Sequence, residues 1–408
     1  MRTSEQIYHR IRWDARFDPG RFAVGVAQRG GAAPKRVPLA SFVPGGDVPW
    51  HRVVWFEADG ERVWDRETGT DRIDTSDAGR ARSPRLLVPP FFEPVAVDGV
   101  PDGGVPVRRA PRVLTWNTLW DRYDAERIDT ARRRPLLLAA LRDADADVIA
   151  LQEVEPPLYD LLRDAEWVRD GGWTLLPGRR AAGEYGLLIM TRLPVREAGR
   201  QVLGPHKAVL AVVVESAEGP LTVATTHLTS DHTAEGPALR RTQLAALREG
   251  FAGVGGDLVV TGDMNDTTGL PGGILDMADA WTDAPERVPD DPEAPTFDPR
   301  VNPLAAVGSL TGRAGRIDRV FLRGRYTARR AVLTGTAPDR DGLYASDHFG
   351  VLAELTTLPA VPRPRSHSRG DDTHAARATD TLHRVTGAFP EGSVHLVGSR
   401  RMACELPG

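Results

Sequence analysis

Polar side chains stand at or beside the ends of six predicted strands in the middle of the chain. They are Asn117, Glu153, His227, Asp263 with Asn265, Asp318, and Asp347 with His348. Carboxylate and amide oxygens are hard ligands that suit Mg²⁺ or Mn²⁺. A histidine beside them can act as a general base or donate to a phosphate, and a neighbouring aspartate orients its ring. The set therefore predicts metal-assisted hydrolysis of a phosphate ester.

The segment 111–358, which must position these side chains, alternates apolar runs with amphipathic stretches. This alternation predicts an α/β domain. Strands are expected at Arg112–Trp116, Asp147–Leu151, Gly186–Met190, Val209–Val214, Leu221–Thr226, Leu258–Thr261, Ile317–Leu322 and Phe349–Leu355. Helices are expected at Ala131–Arg142 and Pro237–Glu249. Because ligands bind beyond the strand ends of open α/β sheets, the polar side chains are expected to converge on one site.

A single Gln-Glu or Asp-His dipeptide is more often a pair of surface residues without a function than part of an active site. The ordered series of polar residues at strand ends is a more specific sign of an active site. It resembles the endonuclease/exonuclease/phosphatase superfamily, which has the deoxyribonuclease I-like fold. The matching stretches are Thr115-Trp116-Asn117, Leu151-Gln152-Glu153-Val154, Tyr185-Gly186-Leu187-Leu188-Ile189, Thr226-His227-Leu228, Gly262-Asp263-Met264-Asn265, Arg316-Ile317-Asp318 and Ser346-Asp347-His348. The resemblance implies a four-layer α/β sandwich with two packed sheets over residues 111–358.

The same resemblance implies a metal site. The glutamate of the second stretch binds the catalytic metal in that superfamily, so Glu153 is expected to be a metal ligand. Asn117 matches the asparagine of the first strand that supports this glutamate, and Asp347 matches a residue placed near the metal. The implied cofactor is Mg²⁺ or Mn²⁺.

The remaining motif residues match groups at the scissile phosphate. Asp263 and Asn265 match the pair that orients the attacking water and holds the phosphate or a second metal. His348 matches the histidine at the phosphate, and Asp318 matches the carboxylate that pairs with it. His227 matches a further phosphate-contacting histidine, and its alternative is a core histidine with satisfied hydrogen bonds.

Other residues near these motifs are candidates for substrate contacts. Tyr185 is a candidate for contact with a phosphate and equally a candidate for packing inside the protein. Lys207, just before a strand, is expected to be solvated rather than bound to substrate. Arg240 and Arg241 lie on the helix after the His227 motif and suit the phosphate backbone, although one of them is expected to face solvent.

Residues 1–78 are predicted to form a small β-rich domain with a hairpin at Ala58-Asp59-Gly60. Tryptophan, arginine and histidine interleave there, which suits a site for a phosphorylated nucleotide end and equally a small core stapled by ion pairs. The stretches Arg10–Asp14, His51–Val53 and Val63–Arg66 resemble the RNA cyclic-group-end recognition domain. The resemblance implies binding to RNA ends with a 2′,3′-cyclic phosphate. The residues expected to make this contact are His51, Arg52, Trp64 and Arg66.

Two segments rich in proline and arginine, 79–110 and 359–375, are predicted to be linkers, with Leu86–Phe92 as a stretch that can dock on a neighbouring domain. Residues 376–408 contain a helical stretch and a strand that runs into Gly398-Ser399. This segment is similar to the opening of a poly(A) polymerase-like nucleotidyltransferase domain, whose metal-binding Asp-x-Asp is not reached before Gly408. Further domains are therefore expected C-terminal to this chain.

The composition excludes several other classes of protein. With 408 residues, 41% of them hydrophobic, and a net charge of −4, the chain is globular and long enough for more than one domain. The single cysteine, Cys404, excludes an intramolecular disulfide and a cysteine-based zinc site. No apolar run approaches the length of a membrane span, and the first residues lack the core of a signal peptide. No membrane partner and a cytoplasmic location are therefore expected.

These features together predict a divalent-metal-dependent phosphodiesterase that acts on RNA, as a nuclease of RNA end processing or repair. The enzymatic alternatives are a DNA-repair nuclease and another phosphoester hydrolase of the same superfamily, because a fold does not fix a substrate. The alternative of another class is an RNA-end-binding protein with an inactive hydrolase domain. The complete set of carboxylates argues against that alternative.

Overall fold

The structure, a computed structural model, describes residues 1–28, 30, 33–42, 48–81, 83–97, 108, 110–122 and 125–357. The expected linker 359–375 and the expected nucleotidyltransferase start at 376–408 lie outside the described residues. Among the helices of the described segments, none has both the length and the apolar character needed to cross a membrane.

The N-terminal domain is an antiparallel sheet with one helix packed against it. The helix, Ser4–Trp13 (α1), begins at a capping box in which Thr3 and Gln6 exchange side chain–backbone hydrogen bonds. Its Ile7 and Ile11 are fully buried in the domain core. The strands lie in the order β2-β1-β3-β4-β5. They are Phe22–Val26 (β1), Lys35–Pro38 (β2), Val53–Ala58 (β3), Glu61–Asp65 (β4) and Thr70–Asp71 (β5).

The rest of the described chain alternates strands and helices. The strands are Glu93–Val95 (β6), Arg112–Asn117 (β7), Val148–Gln152 (β8), Thr174–Leu176 (β9), Leu188–Thr191 (β10), Val195–Gly204 (β11), Lys207–Ser216 (β12), Gly219–His227 (β13), Asp257–Asp263 (β14), Ala278–Asp279 (β15), Glu286–Val288 (β16), Asp318–Arg323 (β17), Tyr326–Thr334 (β18) and Gly350–Thr357 (β19). The helices are Thr130–Asp143 (α2), Pro156–Asp164 (α3), Glu166–Asp170 (α4), Arg179–Tyr185 (α5), Gly236–Ala252 (α6), Leu270–Leu275 (α7), Ala280–Asp283 (α8) and Pro303–Gly308 (α9).

These strands form two sheets that pack face to face. The first sheet has the order β16-β18-β19-β7-β8-β10-β9, and the second has the order β15-β17-β14-β13-β12-β11-β6. Inward-facing side chains such as Val148, Val212 and Val223 form the core between the sheets. Helices α2 and α3 cover the outer face of the first sheet, and α6 covers that of the second. The predicted four-layer α/β sandwich, preceded by a small β-rich domain, is confirmed.

Two segments differ from the expectation drawn from the sequence. The N-terminal domain opens with a helix, α1, where only strands and turns are expected. The expected linker 79–110 contributes a strand, because β6 pairs antiparallel with β11 at the edge of the second sheet. Just before that strand, the main-chain N–H groups of Leu86 and Leu87 donate to the carboxylate of Glu197, at 2.7 and 3.2 Å. Part of the segment therefore belongs to the sandwich.

Candidate active site

Three adjacent strands of the second sheet place three site residues side by side. His227 lies opposite Asp263 in the parallel pair β13–β14, and Asp263 lies opposite Asp318 in the antiparallel pair β14–β17. The close approach of β13 and β14 requires Gly262, because a Cβ at that position would lie 1.9 Å from the main-chain oxygen of Thr226. The strand register alone therefore lines up a histidine and two aspartates.

The ends of β7 and β8 face this row from the first sheet. Asn117 is the last residue of β7, and its Nδ2 donates to Oδ2 of Asp263 at 3.1 Å. Glu153 directly follows β8 and has a φ of 60°, which is uncommon for a residue other than glycine. Its Oε2 accepts a hydrogen bond from the main-chain N–H of Trp120 at 2.8 Å. A strained backbone thus holds the Glu153 carboxylate in place, as is common at functional sites.

The segment before β19 supplies the remaining residues. The indole Nε1 of Trp116 donates to the main-chain oxygen of His348 at 2.9 Å. Oγ of Ser346 donates to the main-chain oxygen of Asn117 at 2.6 Å. Asp347 and His348 are both buried. These hydrogen bonds fix the segment next to the end of β7.

Asp318 orients and charges the ring of His348. Nδ1 of His348 lies 2.8 Å from Oδ2 of Asp318. Burial alone would lower the pKa of His348, but the charges of Asp318, Asp347 and Asp263 and the hydrogen bond to Asp318 raise it well above its ordinary value. The imidazole is therefore charged at neutral pH, and its Nε2 lies 3.9 Å from Oδ2 of Asp263.

His227 has the opposite protonation state. Burial, together with the charge of Lys207, lowers the pKa of His227 to about 3 against the opposing effect of Asp263. Its Nε2 lies 3.6 Å from Oδ2 of Asp263, and its Nδ1 lies 3.9 Å from Oε1 of Glu153. At neutral pH these are contacts of a neutral ring rather than ion pairs. One charged and one neutral histidine therefore flank the carboxylate of Asp263, an arrangement that separates acid and base roles.

The donor set next to Glu153 fits a hard divalent cation. Burial and the charge of Asp347 raise the pKa of Glu153 to about 7, although His348 and two hydrogen bonds lower it. One of those hydrogen bonds comes from Asn117, so two carboxylates and an amide lie together. A bound cation would stabilise the ionised form of Glu153 in this buried position.

A second group of residues is also close enough to hold a cation. Ligand atoms of Asp263, Asp318 and His348 all lie within 4.8 Å of one another. The nitrogen of His348 beside Asp318 is already hydrogen-bonded, and a charged imidazole has no lone pair to offer a metal. This group therefore suits proton transfer and phosphate binding, whereas the oxygen ligands around Glu153 suit Mg²⁺ or Mn²⁺.

Asn265 and Lys207 meet at one main-chain oxygen beside this group. Nδ2 of Asn265 and Nζ of Lys207 both donate to the main-chain oxygen of Leu228, each at 3.0 Å. Asn265 also donates its main-chain N–H to Oδ1 of Asp263 at 2.9 Å. Lys207 is partly buried, and burial lowers its pKa while the charges of Asp263 and Glu153 raise it. The solvated position expected for Lys207 is therefore wrong.

A tryptophan ring lies beside Glu153 at the rim of the site. The guanidinium carbon of Arg122 lies 3.9 Å from the ring centroid of Trp120, and Nε of Arg122 donates to Glu155 at 2.9 Å. Gly186, with a φ of 68°, packs against the same ring. A Cβ on Gly186 would lie 2.5 Å from Cη2 of Trp120 and 3.2 Å from Cα of Glu153. Glycine is therefore required there by both its backbone and its neighbours.

Two residues expected to be substrate contacts interact with protein groups. Tyr185 is partly buried, and its ring centroid lies 5.0 Å from the guanidinium carbon of Arg200. Arg240 is only 5% exposed and donates to a main-chain oxygen at 2.9 Å and to Asp231 at 2.5 Å. Its guanidinium thus holds the loop after β13, and the expected contact of Arg240 with phosphate stays a prediction. Arg241 is exposed.

The N-terminal residues expected to contact RNA divide into internal and external ones. Trp64 is 1% exposed, and its Nε1 donates to a main-chain oxygen at 2.9 Å, so it is a core residue whose side chain is not free for the expected contact with RNA. Arg52 donates twice to one main-chain oxygen, at 3.1 and 2.7 Å. Arg66 donates to the main-chain oxygen of Trp50 at 3.1 Å but is exposed, and His51 is also exposed.

Gln152 connects the two sheets, and it is not among the site residues expected from the sequence. Its Nε2 lies 3.0 Å from Oγ1 of Thr115 and 2.9 Å from Oγ1 of Thr225. The signal was available, because an amide at the end of a fully apolar strand is expected to find a partner when it is buried. The bridge fixes the distance between Glu153 on one sheet and the row of site residues on the other.

Comparison with known proteins gives the following matches. Residues 114–348 match the family described as Endonuclease/Exonuclease/phosphatase family, and residues 1–66 match the MJ1316 RNA cyclic group end recognition domain. Tyrosyl-DNA phosphodiesterase 2 of Xenopus tropicalis is 25% identical over 265 residues, which cover 60% of this chain and 66% of that protein. The chain thus spans just under two thirds of the length of this relative.

Solved structures resemble the sandwich as well. The crystal structure of D. rerio TDP2 complexed with single strand DNA product covers 61% of this chain and 100% of its own, with 20% identity and a TM-score of 0.50. Sphingomyelinase C from Streptomyces griseocarneus covers 60% of this chain and 99% of its own, with 19% identity and a TM-score of 0.47. At 20% identity, the TDP2 match establishes a shared fold.

Proposed function

The chain belongs to the endonuclease/exonuclease/phosphatase family, and from this membership we propose that it is a divalent-metal-dependent phosphodiesterase that processes RNA ends. The observation that carries the hydrolytic part is the placement of a charged and a neutral histidine on either side of Asp263. The RNA part is supported by the match of residues 1–66 to an RNA cyclic group end recognition domain.

The site residues take complementary roles in this proposal. Asp263 accepts the proton of the attacking water, and Asn265 positions that water. His348, kept charged by Asp318, donates to the phosphoryl oxygens as negative charge builds up on them. His227 is neutral and completes the phosphate pocket without adding charge.

A metal has a place in the same arrangement. Glu153, Asn117 and Asp347 would hold Mg²⁺ or Mn²⁺, which as a Lewis acid polarises a phosphoryl oxygen. The charge of a bound cation would favour the ionised form of Glu153, whose pKa is raised to about 7 without it. The residues of the chain then orient the ester and exclude water from the buried side of the pocket.

DNA repair is the second candidate function. It is favoured by the similarity to tyrosyl-DNA phosphodiesterase 2, which extends over 60% of this chain. The two candidates share the hydrolytic site and differ in the strand that it receives. They therefore make different predictions for matched RNA and DNA substrates.

The test compares end-labelled RNA and DNA oligonucleotides of one sequence, with hydroxyl, phosphate or 2′,3′-cyclic phosphate ends where the sugar permits. The full chain is incubated with Mg²⁺, Mn²⁺ or EDTA, and H348Q serves as the inactive control. Metal-dependent cleavage that is faster on RNA supports the proposal. Faster cleavage of DNA favours the repair nuclease. Binding of RNA without hydrolysis of either strand in both metals would assign the chain to the inactive-hydrolase class.

A further inference from the structure

The N-terminal domain displays aromatic rings that its own core does not bury. Trp13, at the end of α1, is 59% exposed and is the one aromatic member of the large exposed apolar side chains in the described residues. His9 and Trp50 are half-buried, and His51 is exposed. These four residues, His9, Trp13, Trp50 and His51, are called the aromatic platform below.

A ladder of ring contacts braces the platform from beneath. The ring centroids of Trp13 and His9 lie 5.3 Å apart, and those of His9 and Trp50 lie 6.3 Å apart. Trp50 in turn lies 5.3 Å from Tyr8 and 5.6 Å from Phe42, which are both buried. The exposed rings are therefore connected to the core, and less conformational entropy is lost when a ligand stacks on them.

Helix geometry explains why Trp13 points outward. In the stretch Arg10–Asp14, Ile11 is fully buried against the sheet, and a residue two positions later lies on the opposite side of the helix. Leaving an indole in water forfeits the free energy of burial that the ring would gain in a core. The exposed indole, next to the half-buried ring of His9, offers a face on which a nucleotide base can stack.

A guanidinium group borders the rings. Nη2 of Arg66 donates to the main-chain oxygen of Trp50 at 3.1 Å. Arg66 is exposed, and it lies next to Trp50, which precedes His51 in the chain. Rings for stacking with adjacent cationic donors are the combination that binds single-stranded nucleic acid.

We propose that the aromatic platform binds the terminal nucleotide of single-stranded RNA, with its base stacked on Trp13 and its phosphate beside His51 and Arg66. The choice of RNA as the ligand rests on the proposed function. The location of the binding surface does not rest on that function, because it follows from the exposure of Trp13 and from the contacts between the rings. The motif residues Arg52 and Trp64 donate to main-chain oxygens within the domain and are not assigned to the nucleotide.

The test measures binding of a fluorescein-labelled single-stranded RNA by anisotropy, with the full chain in EDTA so that hydrolysis is absent. W13A is expected to weaken binding about ten-fold, as is typical for loss of one stacked base. W13F, which retains a smaller ring, is expected to recover part of the affinity. L310A, which removes another strongly exposed apolar side chain, is the matched control and should bind like the wild type. Equal affinities of W13A and wild type would overturn the proposal.

A circular RNA of the same sequence tests the assignment to a strand end. Wild type should bind the linear form more tightly, and W13A should remove this difference. Equal binding of both forms by the wild type would refute the assignment to the terminal nucleotide. Hydrolysis of bis(p-nitrophenyl) phosphate with Mg²⁺ separates this proposal from the proposed catalysis. If no ester is hydrolysed but W13A still loses RNA affinity, catalysis has failed and the platform stands.

Discussion

Nδ1 of His348 lies 2.8 Å from Oδ2 of Asp318, and both side chains are buried. This contact joins the segment before β19 to the start of β17, so one carboxylate connects the two sheets at the site. It also contributes to a pKa of His348 well above the ordinary value, together with the charges of Asp347 and Asp263. The pH dependence of the reaction should therefore report on this pair.

D318N is expected to confine activity to lower pH. A raised folded-state pKa means that the ring of the wild type stays charged as pH rises past 6.5, and that the charge is lost only near the raised value. Without the carboxylate, the pKa of His348 falls, because burial is then opposed only by the charges of Asp347 and Asp263, and the ring loses its charge at a lower pH. We expect kcat/KM at pH 8 to fall about a hundred-fold, with a smaller loss at pH 6. Profiles of kcat/KM against pH measure this shift.

The control for D318N is D164N, since Asp164 is exposed and pairs with Arg163 on the surface. Its pH profile should match that of the wild type. If D318N also retained the wild-type profile, Asp318 would not be the residue that keeps His348 charged.

E153Q should lose hydrolysis and become more stable in the absence of metal. Burial and Asp347 raise the pKa of Glu153 from 4.5 to about 7. The free energy of unfolding therefore falls as pH rises from about 4.5, and it stops falling above about pH 7, where the Glu153 side chain is fully ionised. In EDTA at pH 8 the variant should melt at a higher temperature than the wild type, and the two should converge near pH 4.5.

Added Mg²⁺ is expected to reverse this order of stability. The wild type should gain melting temperature as Mg²⁺ is added, while E153Q should gain little. Loss of the ligand should lower the rate about a thousand-fold, which corresponds to a few kcal/mol of transition-state stabilisation. E249Q, at an exposed position on α6, is the control. An E153Q protein with wild-type Mg²⁺-dependent hydrolysis would show that the cation is held elsewhere.

The chain has only two lysines, Lys207 and Lys35, which provides a natural pair of variants. The charge of Lys207 contributes to the lowering of the pKa of His227 to about 3. K207M should therefore raise the pKa of His227, and loss of a cation near the phosphate should reduce hydrolysis about ten-fold.

NMR titration of the imidazole Cε1–H resonances measures this pKa, with H227Q used to assign the resonance. Lys35 is exposed in the N-terminal domain, so K35M should change neither the titration nor the rate. An unchanged pKa of His227 in K207M would mean that burial alone keeps the ring neutral.

Two glycines allow the packing at the rim of the site to be separated from backbone strain. Gly186 and Gly60 both have positive φ, 68° and 81°, so alanine at either costs about 1 kcal/mol from the left-handed conformation. At Gly60 a Cβ meets nothing within 4 Å, whereas at Gly186 it meets Trp120 and the backbone of Glu153.

G186A should therefore lose more stability than G60A and should also lose activity, since it displaces Glu153. Melting temperature and kcat measured for both variants give the comparison. Equal losses in the two variants would indicate that Trp120 moves aside freely.

The sequence predicts which strands carry the site residues, because each apolar run is short and ends in a polar motif. It does not predict the register. Asp318 lies opposite Asp263 because β17 pairs with β14, which is distant in sequence, and no local pattern reports that pairing. The charge states of His227 and His348 were also hidden, since they depend on burial and on Lys207, whose position is set by a contact across strands.

The N-terminal domain was less predictable from its sequence. Trp64 follows Val63 in β4, and both are buried, so the usual alternation of inward and outward residues does not distinguish core from surface there. Helix α1 was missed although Thr3 and Gln6 have the spacing of a capping box and Ile7 and Ile11 share a face. Tertiary packing decides which of the tryptophans is available to a ligand.

The pairing of β6 with β11 determines how this protein can be divided. A chain shortened to begin at residue 111 would leave β11 as an open edge, with unpaired main-chain groups that invite association with another copy. It would also deprive the carboxylate of Glu197 of the two N–H donors of Leu86 and Leu87. The contacts of the second sheet therefore extend upstream to residue 86. The segment between the two domains is thus part of the second sheet, and its removal is expected to destabilise the sandwich.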